Sequence, residues 1–198
     1  PEQDATSVAR LRSAGALMVG KTNMHEIGLG VTGLNVHYGT TRNPHHLDHY
    51  PGGSSSGSAV AVAAGLSPIA LGLDGGGSIR IPASLCGVVG LKTTWGRISS
   101  AGAAPLSWSV STVGPITSTA DDAALAYSFL AGPDPRQIRT QNQPSVDLLD
   151  FNNANLTGVK LGVFSAWFKH ASTDIVQNCE GMLDAFKAQG ATIEEIEI

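Results

Sequence analysis

Apolar positions along this chain come in short bursts set off by glycine, proline and serine. Residues 4–14 place Val8, Leu11 and Ala14 on one helical face, with Asp4 or Thr6 available to cap its start and Gly15 to end it. Ala16–Val19 follows as a four-residue apolar run, too short for a helix and read as a buried strand. A helical turn kept short by Gly28 and Gly30 is expected over 23–30. Residues 33–53, punctuated by Gly39, Pro44, Pro51, Gly52 and Gly53, read as an ordered loop. Ser56 or Ser58 can cap a helix that runs to about Ala64 and stops at Gly65; its Ala and Val side chains permit close packing, which places it deep in the core. Ile69–Leu73 and Val88–Leu91 read as buried strands, 79–86 as a helix interrupted early by Pro82, and 96–118 as loop. Thr119 to Asp122 cap a clear helix that stops at Gly132-Pro133. The polar stretch 133–157 reads as a linker or excursion. A strand from Val159 to Phe164, an amphipathic helix over about Thr173 to Ala188 and a strand over Thr192 to Ile198 follow. Short buried strands alternating with helices predict an α/β layered domain with a largely parallel or mixed sheet.

Composition sharpens this. Only 14% of the 198 residues are charged, against a usual quarter, so much of the chain is expected to be buried. The net charge of −4 supplies no electrostatic footprint for nucleic acid, which is excluded as a partner class. Cys86 and Cys179 have neither zinc nor redox spacing; they read as buried thiols in a reducing, intracellular compartment. No apolar run reaches the length of a membrane span and no signal peptide is visible. The chain starts at Pro1 without Met and ends on an apparent strand, so both ends read as cuts through a longer protein.

Three short motifs invite chemistry and fit poorly. Residues 15–22, GALMVGKT, match the phosphate-loop pattern, but its middle residues favour a strand and no clean helix follows. Residues 53–57, GSSSG, match G-x-S-x-G, but a nucleophile elbow needs a strand before the serine and Pro51 precludes one. His45, His46, Asp48 and His49 suggest a metal cluster, yet Pro44 and Pro51 bracket a loop rather than a helix that would align them, and no metal is expected.

What remains is two small-residue clusters, Gly52–Ser58 and Asp74–Ser78, separated by the Ala/Val helix and a strand. Glycines admit close approach of backbone N–H groups, and serines supply hydroxyls that accept, donate or attack. The run GGSSSGSAVAVAAGLSPIALGLDGGGSIRIPASLCGVVGLKTTWGR (52–97), with GKTNMHE (20–26), RNP (42–44) and VGPITSTADDAALAYSFLAG (113–132), resembles the amidase signature family. The DGGGS, GLKTT and GR details look most like its plant-type fatty acid amide hydrolases.

The resemblance implies an α/β amidase signature fold, a mixed β-sheet core flanked by helices, of which this chain is a fragment: a catalytic core over 15–132, a polar excursion over 133–157 and a further α/β segment over 158–198. It implies a Ser–cis-Ser–Lys triad with Ser78 as nucleophile, Ser54 as bridging residue across a cis Gly53–Ser54 peptide, and Lys21 as base. A serine needs a partner to take its proton, and a lysine can do so only when neutral, which burial favours. The N–H groups of Gly75, Gly76, Gly77 and Ser78 would form the oxyanion hole. Gly75 stands where many relatives carry Thr or Ile. Asp74 and Arg80 would pair to hold the loop, and Ser55 would support it by hydrogen bonding. The implied reaction is hydrolysis of a carboxylic amide, above all a long-chain N-acyl amide, through an acyl-enzyme and with no cofactor. The implied partner is a small, lipid-like amide; a membrane-associated parent and a homodimer both fit. Two alternatives stand beside this: the amidase subunit of a tRNA-dependent amidotransferase, in which Gln usually replaces Ile81, and a non-catalytic receptor or scaffold on the same fold.

Overall fold

The computed structural model describes residues 2–198. It separates into two compact units, Pro1–Leu148 and Leu149–Ile198.

The first unit is built on an antiparallel three-stranded sheet of order β1-β3-β2, with β1 at Ile69–Asp74, β2 at Val89–Gly90 and β3 at Thr112–Thr117. β1 and β2 each pair only with β3, in registers Ile69↔Thr117 and Val89↔Thr117. The parallel or mixed pairing expected of the chain is antiparallel in this unit and parallel in the second; here the chain inserts β3 between β1 and β2. The expected loop over 96–118 is corrected at the same point, because all six residues of β3 are buried. Gly114 and Pro115 disguise it in the sequence. The Pro115 carbonyl accepts from the Leu91 N–H at 3.0 Å, so the missing N–H of Pro115 faces the side where β2 is only two residues long. A Cβ on Gly114 would lie 2.1 Å from the Leu91 carbonyl oxygen, so only glycine allows this approach.

Helices cover the sheet. α1 (Thr6–Ser13), α2 (Ser56–Ala63), α3 (Arg80–Cys86) and α4 (Ala120–Leu130) build two apolar clusters. One gathers Ala59, Val62, Ile79, Cys86 and Ile116; the other gathers Leu11, Ile98, Val113 and Leu130. α4 begins at a Thr119 cap whose hydroxyl oxygen accepts from the Asp122 N–H at 3.1 Å. α3 ends at Gly87, whose φ of 66° closes the helix in the left-handed region. The expected side-chain caps of α1 and α2 are absent. The N-cap of α1 is Ala5, and the Thr6 hydroxyl instead donates to the buried Asp134 carboxylate.

The run Ala16–Val19 is not a buried strand. Leu17 is 87% and Val19 84% exposed, and among the described residues no strand lies beside them to complete a ladder. Apolar side chains alone do not make a strand when the backbone has no partner. The polar stretch 133–157 does not behave as one excursion. Asp134 and Thr140 are buried in the first unit, where Asp134 takes hydrogen bonds from Thr6, Ser99 and the Arg136 backbone.

The second unit pairs β4 (Lys160–Val163) with β5 (Thr192–Glu195) in parallel, as a crossover through α5 (Ser165–Phe168) and α6 (Thr173–Ala188) requires. Lys160 and Glu194 form an ion pair across the two strands at 2.9 Å.

Candidate active site

The two Gly/Ser clusters meet at one end of β1. The Ser55 N–H donates to the Ser78 carbonyl at 3.1 Å, which ties the first cluster to the second. The Gly53–Ser54 peptide is cis. The loop 23–33 closes over the first cluster: the His25 N–H donates to the Ser54 carbonyl at 3.0 Å, and the Gly57 N–H to the Asn23 carbonyl at 2.8 Å. A Cβ at Gly57 would lie 2.5 Å from that same Asn23 oxygen, so this helix start can only be glycine at the observed spacing.

The serine run divides its work among several partners. Ser55 occupies the N-cap position of α2, but its hydroxyl makes no cap; it accepts from the Leu73 N–H at 3.2 Å. Ser58 donates to the Leu71 carbonyl at 2.8 Å and bonds the Thr22 hydroxyl at 2.8 Å. The helix thus docks on β1 through two serine hydroxyls, of which Ser58 is the one expected as a cap. Ser54 is buried and faces a cavity of about 900 Å³. Ser78, half-buried, lines the same cavity together with Gly75 and Gly76. Among the described residues the Ser54 and Ser78 hydroxyls bond neither each other nor another group of the protein.

Asp74 organises the second cluster. Its side chain is fully buried and accepts from the N–H groups of Gly77 (2.8 Å), Ile79 (3.0 Å) and Arg80 (3.3 Å). The Arg80 guanidinium adds a two-pronged pair, Nε to Oδ2 at 3.0 Å and Nη2 to Oδ1 at 2.9 Å. Burial by itself would raise the Asp74 pKa. The Arg80 side chain and the three N–H donors overcome it and hold the carboxyl at about 2. One consequence corrects the sequence reading of the oxyanion hole. The Gly77 N–H is committed to Asp74 and Gly77 does not line the cavity, whereas among the described residues the N–H groups of Gly75, Gly76 and Ser78 have no partner.

Lys21 is not where a buried strand would have put it. It lies on the exposed segment before Thr22, outside the cavity wall, with neither an ion pair nor a hydrogen bond among the described residues. Its neighbours Thr22 and Asn23 do line the cavity. The histidines sit apart: His45 Nε2 bonds the Cys86 carbonyl at 2.8 Å, and His46 and His49 contact each other through their Nδ1 atoms at 2.8 Å. Among the described residues no group of three or more His, Cys, Asp or Glu could hold a metal ion. Both cysteines are free, and burial pushes the Cys86 thiol up to about 11.

The cavity wall includes Met24, Ile27, Leu29, Val31, Leu71 and Leu106, so an apolar ligand fits most of its surface. Nothing in the sequence marks one further polar group there, Ser111. It is 7% exposed, and its hydroxyl has no hydrogen-bond partner among the described residues.

Two hydroxyls that line one cavity with unpartnered backbone N–H groups can attack a carbonyl and hold its oxygen, and the chain belongs to the amidase family, whose model (Amidase) matches residues 1–198. It is 47% identical over 204 residues to a fatty acid amide hydrolase of Medicago truncatula, covering 100% of this chain and 33% of that protein. Among solved structures it is similar to a glutamyl-tRNA(Gln) amidotransferase subunit of Thermotoga maritima, with a TM-score of 0.93 and 39% identity, covering 99% of this chain and 43% of that one. It is also similar to the peptide amidase of Stenotrophomonas maltophilia, with a TM-score of 0.89 and 37% identity, covering 98% and 42%. The chain spans about a third of the length of the curated relatives it matches.

Proposed function

We propose that this chain carries the catalytic core of a serine hydrolase that cleaves carboxylic amides of long-chain, apolar acids. The observation that carries the reading is the placement of Ser54 and Ser78 on one largely apolar cavity beside the unpartnered N–H groups of Gly75, Gly76 and Ser78. The 47% identity to a fatty acid amide hydrolase supports the lipid-like substrate.

In this mechanism the Ser78 Oγ attacks the amide carbonyl. Its proton passes to Ser54, which accepts from Ser78 and donates to Lys21 once burial against Ser54 has stripped the lysine of its own proton. Lys21 reaches Ser54 by swinging from its exposed position, a movement open to a long side chain with no partner to leave. The tetrahedral oxyanion is met by the N–H groups of Gly75, Gly76 and Ser78, with Gly77 bracing the loop through Asp74. LysH⁺ returns the proton through Ser54 to the leaving amine, and water then releases the acyl group. Ser55, held to Leu73, and the Asp74–Arg80 pair keep the two clusters in register.

The test is a panel of acyl amides assayed on the full-length protein, with fluorophosphonate labelling read by mass spectrometry. Label on Ser78, and turnover abolished by Ser78→Ala and severely slowed by Lys21→Ala, is the expected result. Full activity of Ser78→Ala would sink the assignment. The similarity to an amidotransferase component supports a second reading, in which glutamine is the amide donor and partner subunits are required. Ile81 packs against Gly77 where that class usually has Gln, and an apolar side chain there disfavours a glutamine substrate. Release of ammonia from glutamine in preference to any acyl amide would favour that second reading. No helix among the described residues is long and apolar enough to cross a membrane.

A further inference from the structure

Loop 43–50 takes no part in the proposed amide chemistry, yet it holds three histidines in a closed ring of backbone hydrogen bonds. Buried Asn43 is its hub. The Asn43 N–H donates to the His49 carbonyl at 3.1 Å, the Asn43 carbonyl accepts from the His46 N–H at 3.2 Å, and the His49 N–H donates to the His46 carbonyl at 2.9 Å. The Asn43 side chain accepts from the His45 N–H at 3.0 Å and donates to the Leu85 carbonyl at 2.8 Å. His45 Nε2 bonds the Cys86 carbonyl at 2.8 Å. The loop is thereby fastened to the end of α3, while His46 and His49 stay exposed.

The sequence argues against a metal here because no helix aligns the histidines. The closed loop brings two of them together without one. Nδ1 of His46 and Nδ1 of His49 lie 2.8 Å apart, with ring centroids at 4.2 Å and ring planes at 82°. Two ring nitrogens hold this distance only with a hydrogen or a metal ion to bridge them, because bare lone pairs repel. The spacing selects among metals. With metal–nitrogen bonds of about 2.0 Å, a separation of 2.8 Å subtends about 90° at the ion, whereas a tetrahedral site would spread the nitrogens to about 3.3 Å. A right angle suits the tetragonal geometry of Cu²⁺ and Ni²⁺ rather than the tetrahedral preference of Zn²⁺. Asp48 puts a carboxylate in the same turn, exposed and with neither ion pair nor hydrogen bond among the described residues. Among those residues no third His, Cys, Asp or Glu joins the pair, so water completes the coordination.

We infer that His46 and His49 form a two-histidine chelate for a divalent transition-metal ion of tetragonal preference, Cu²⁺ above all. The backbone ring around Asn43 holds the two imidazoles in place before the ion arrives, which lowers the cost of ordering them. Neither histidine lines the cavity of Ser54 and Ser78, so the ion acts as a clip on the loop and takes no part in amide cleavage.

The experiment titrates the full-length protein, first stripped of metal by a chelator, with the chlorides of Cu²⁺, Ni²⁺ and Zn²⁺ at neutral pH by calorimetry. Electron paramagnetic resonance of the Cu²⁺ complex counts the bound nitrogens. His46→Ala and His49→Ala are each expected to weaken Cu²⁺ binding by about a hundredfold, the advantage of a second linked ligand, and to leave one nitrogen where the wild type has two. His45→Ala is expected to keep both nitrogens. Ni²⁺ should bind the wild type more tightly than Zn²⁺ does, and saturating Ni²⁺ should raise the melting temperature of the wild type but not of His49→Ala. Equal Cu²⁺ affinity in the wild type and both variants, a nitrogen count that neither variant changes, or tighter binding of Zn²⁺ than of Ni²⁺ would each overturn the inference. The first two outcomes would show that the pair holds a hydrogen alone, and the third that its spacing does not select the ion.

Discussion

Replacing Asp74 by Asn keeps the shape of the side chain and removes its charge. Asp74 is fully buried and accepts five hydrogen bonds, two of them from the Arg80 guanidinium. Its carboxyl lies at about 2 against an ordinary 3.8, and this difference corresponds to about 2.5 kcal/mol of stability at neutral pH. The sign follows from the direction. A depressed carboxyl stabilises the fold wherever the unfolded carboxyl is already ionised, and the contribution disappears as pH falls from about 4 toward 2. Asn costs more than protonation does, because its amide NH₂ is turned toward donors at Ile79 or Arg80 and leaves Arg80 unpaired. Breaking a fully buried pair costs about 3–5 kcal/mol, and the half-exposed Arg80, which water screens, brings the cost below that. Urea denaturation of the full-length protein measures both parts. Asp74→Asn should be about 2–3 kcal/mol less stable at pH 7, with a gap that narrows below pH 4. Equal stability at pH 7, or a gap constant down to pH 2, would refute the reasoning. The variant should also lose amide turnover, since the Gly77 N–H that braces the loop has lost its carboxylate.

Other expectations are local. Gly57→Ala puts a Cβ 2.5 Å from the Asn23 carbonyl oxygen, backbone that must move, and should cost about 1–3 kcal/mol by denaturant titration together with a loss of activity. Thr119→Ala removes the α4 cap and should cost about 1 kcal/mol while leaving kcat/KM unchanged; a cost near zero would show that the cap hydrogen bond is replaced by solvent. The Cys86 thiol, held at about 11 by burial, carries only about one thiolate per thousand at pH 8. Iodoacetamide should therefore modify half-buried Cys179 first in native protein, and peptide mapping that finds Cys86 modified first would contradict the burial argument.

The elements that could be read from the sequence are those whose signals are local. α4 announces itself by Thr119, two acidic residues and a stop at Gly132-Pro133, and α6 by its amphipathic face; both formed where expected. The two Gly/Ser clusters were legible as a site because few other folds need glycine and serine so densely at two ends of a helix–strand unit. What could not be read depends on distant partners. β3 is a strand only because β1 and β2 flank it, and Pro115 argues against a strand until the shortness of β2 is known. Ala16–Val19 has the side chains of a strand and no neighbour to pair with. Ser55 and Ser58 fit the composition of helix caps, yet the approach of β1 turned their hydroxyls to Leu73 and Leu71. Gly77 drops out of the expected oxyanion donors for the same kind of reason, because the reach of Asp74 across three residues is a property of the folded loop. Ser111 has no sequence signal at all: an isolated serine in a polar loop becomes distinctive only when burial leaves its hydroxyl alone.

The order β1-β3-β2 has a consequence for how the chain comes to be folded. The middle strand is the last of the three to be synthesised, and the outer two have no ladder of their own to hold them while they wait. Residues 54–78 leave the ribosome well before Thr112–Thr117 arrive to pin the strand beneath them. The Gly75–Ser78 loop is therefore finished by a distant segment. A nascent chain stopped short of Thr117 would carry every serine of the site and none of the sheet that positions them.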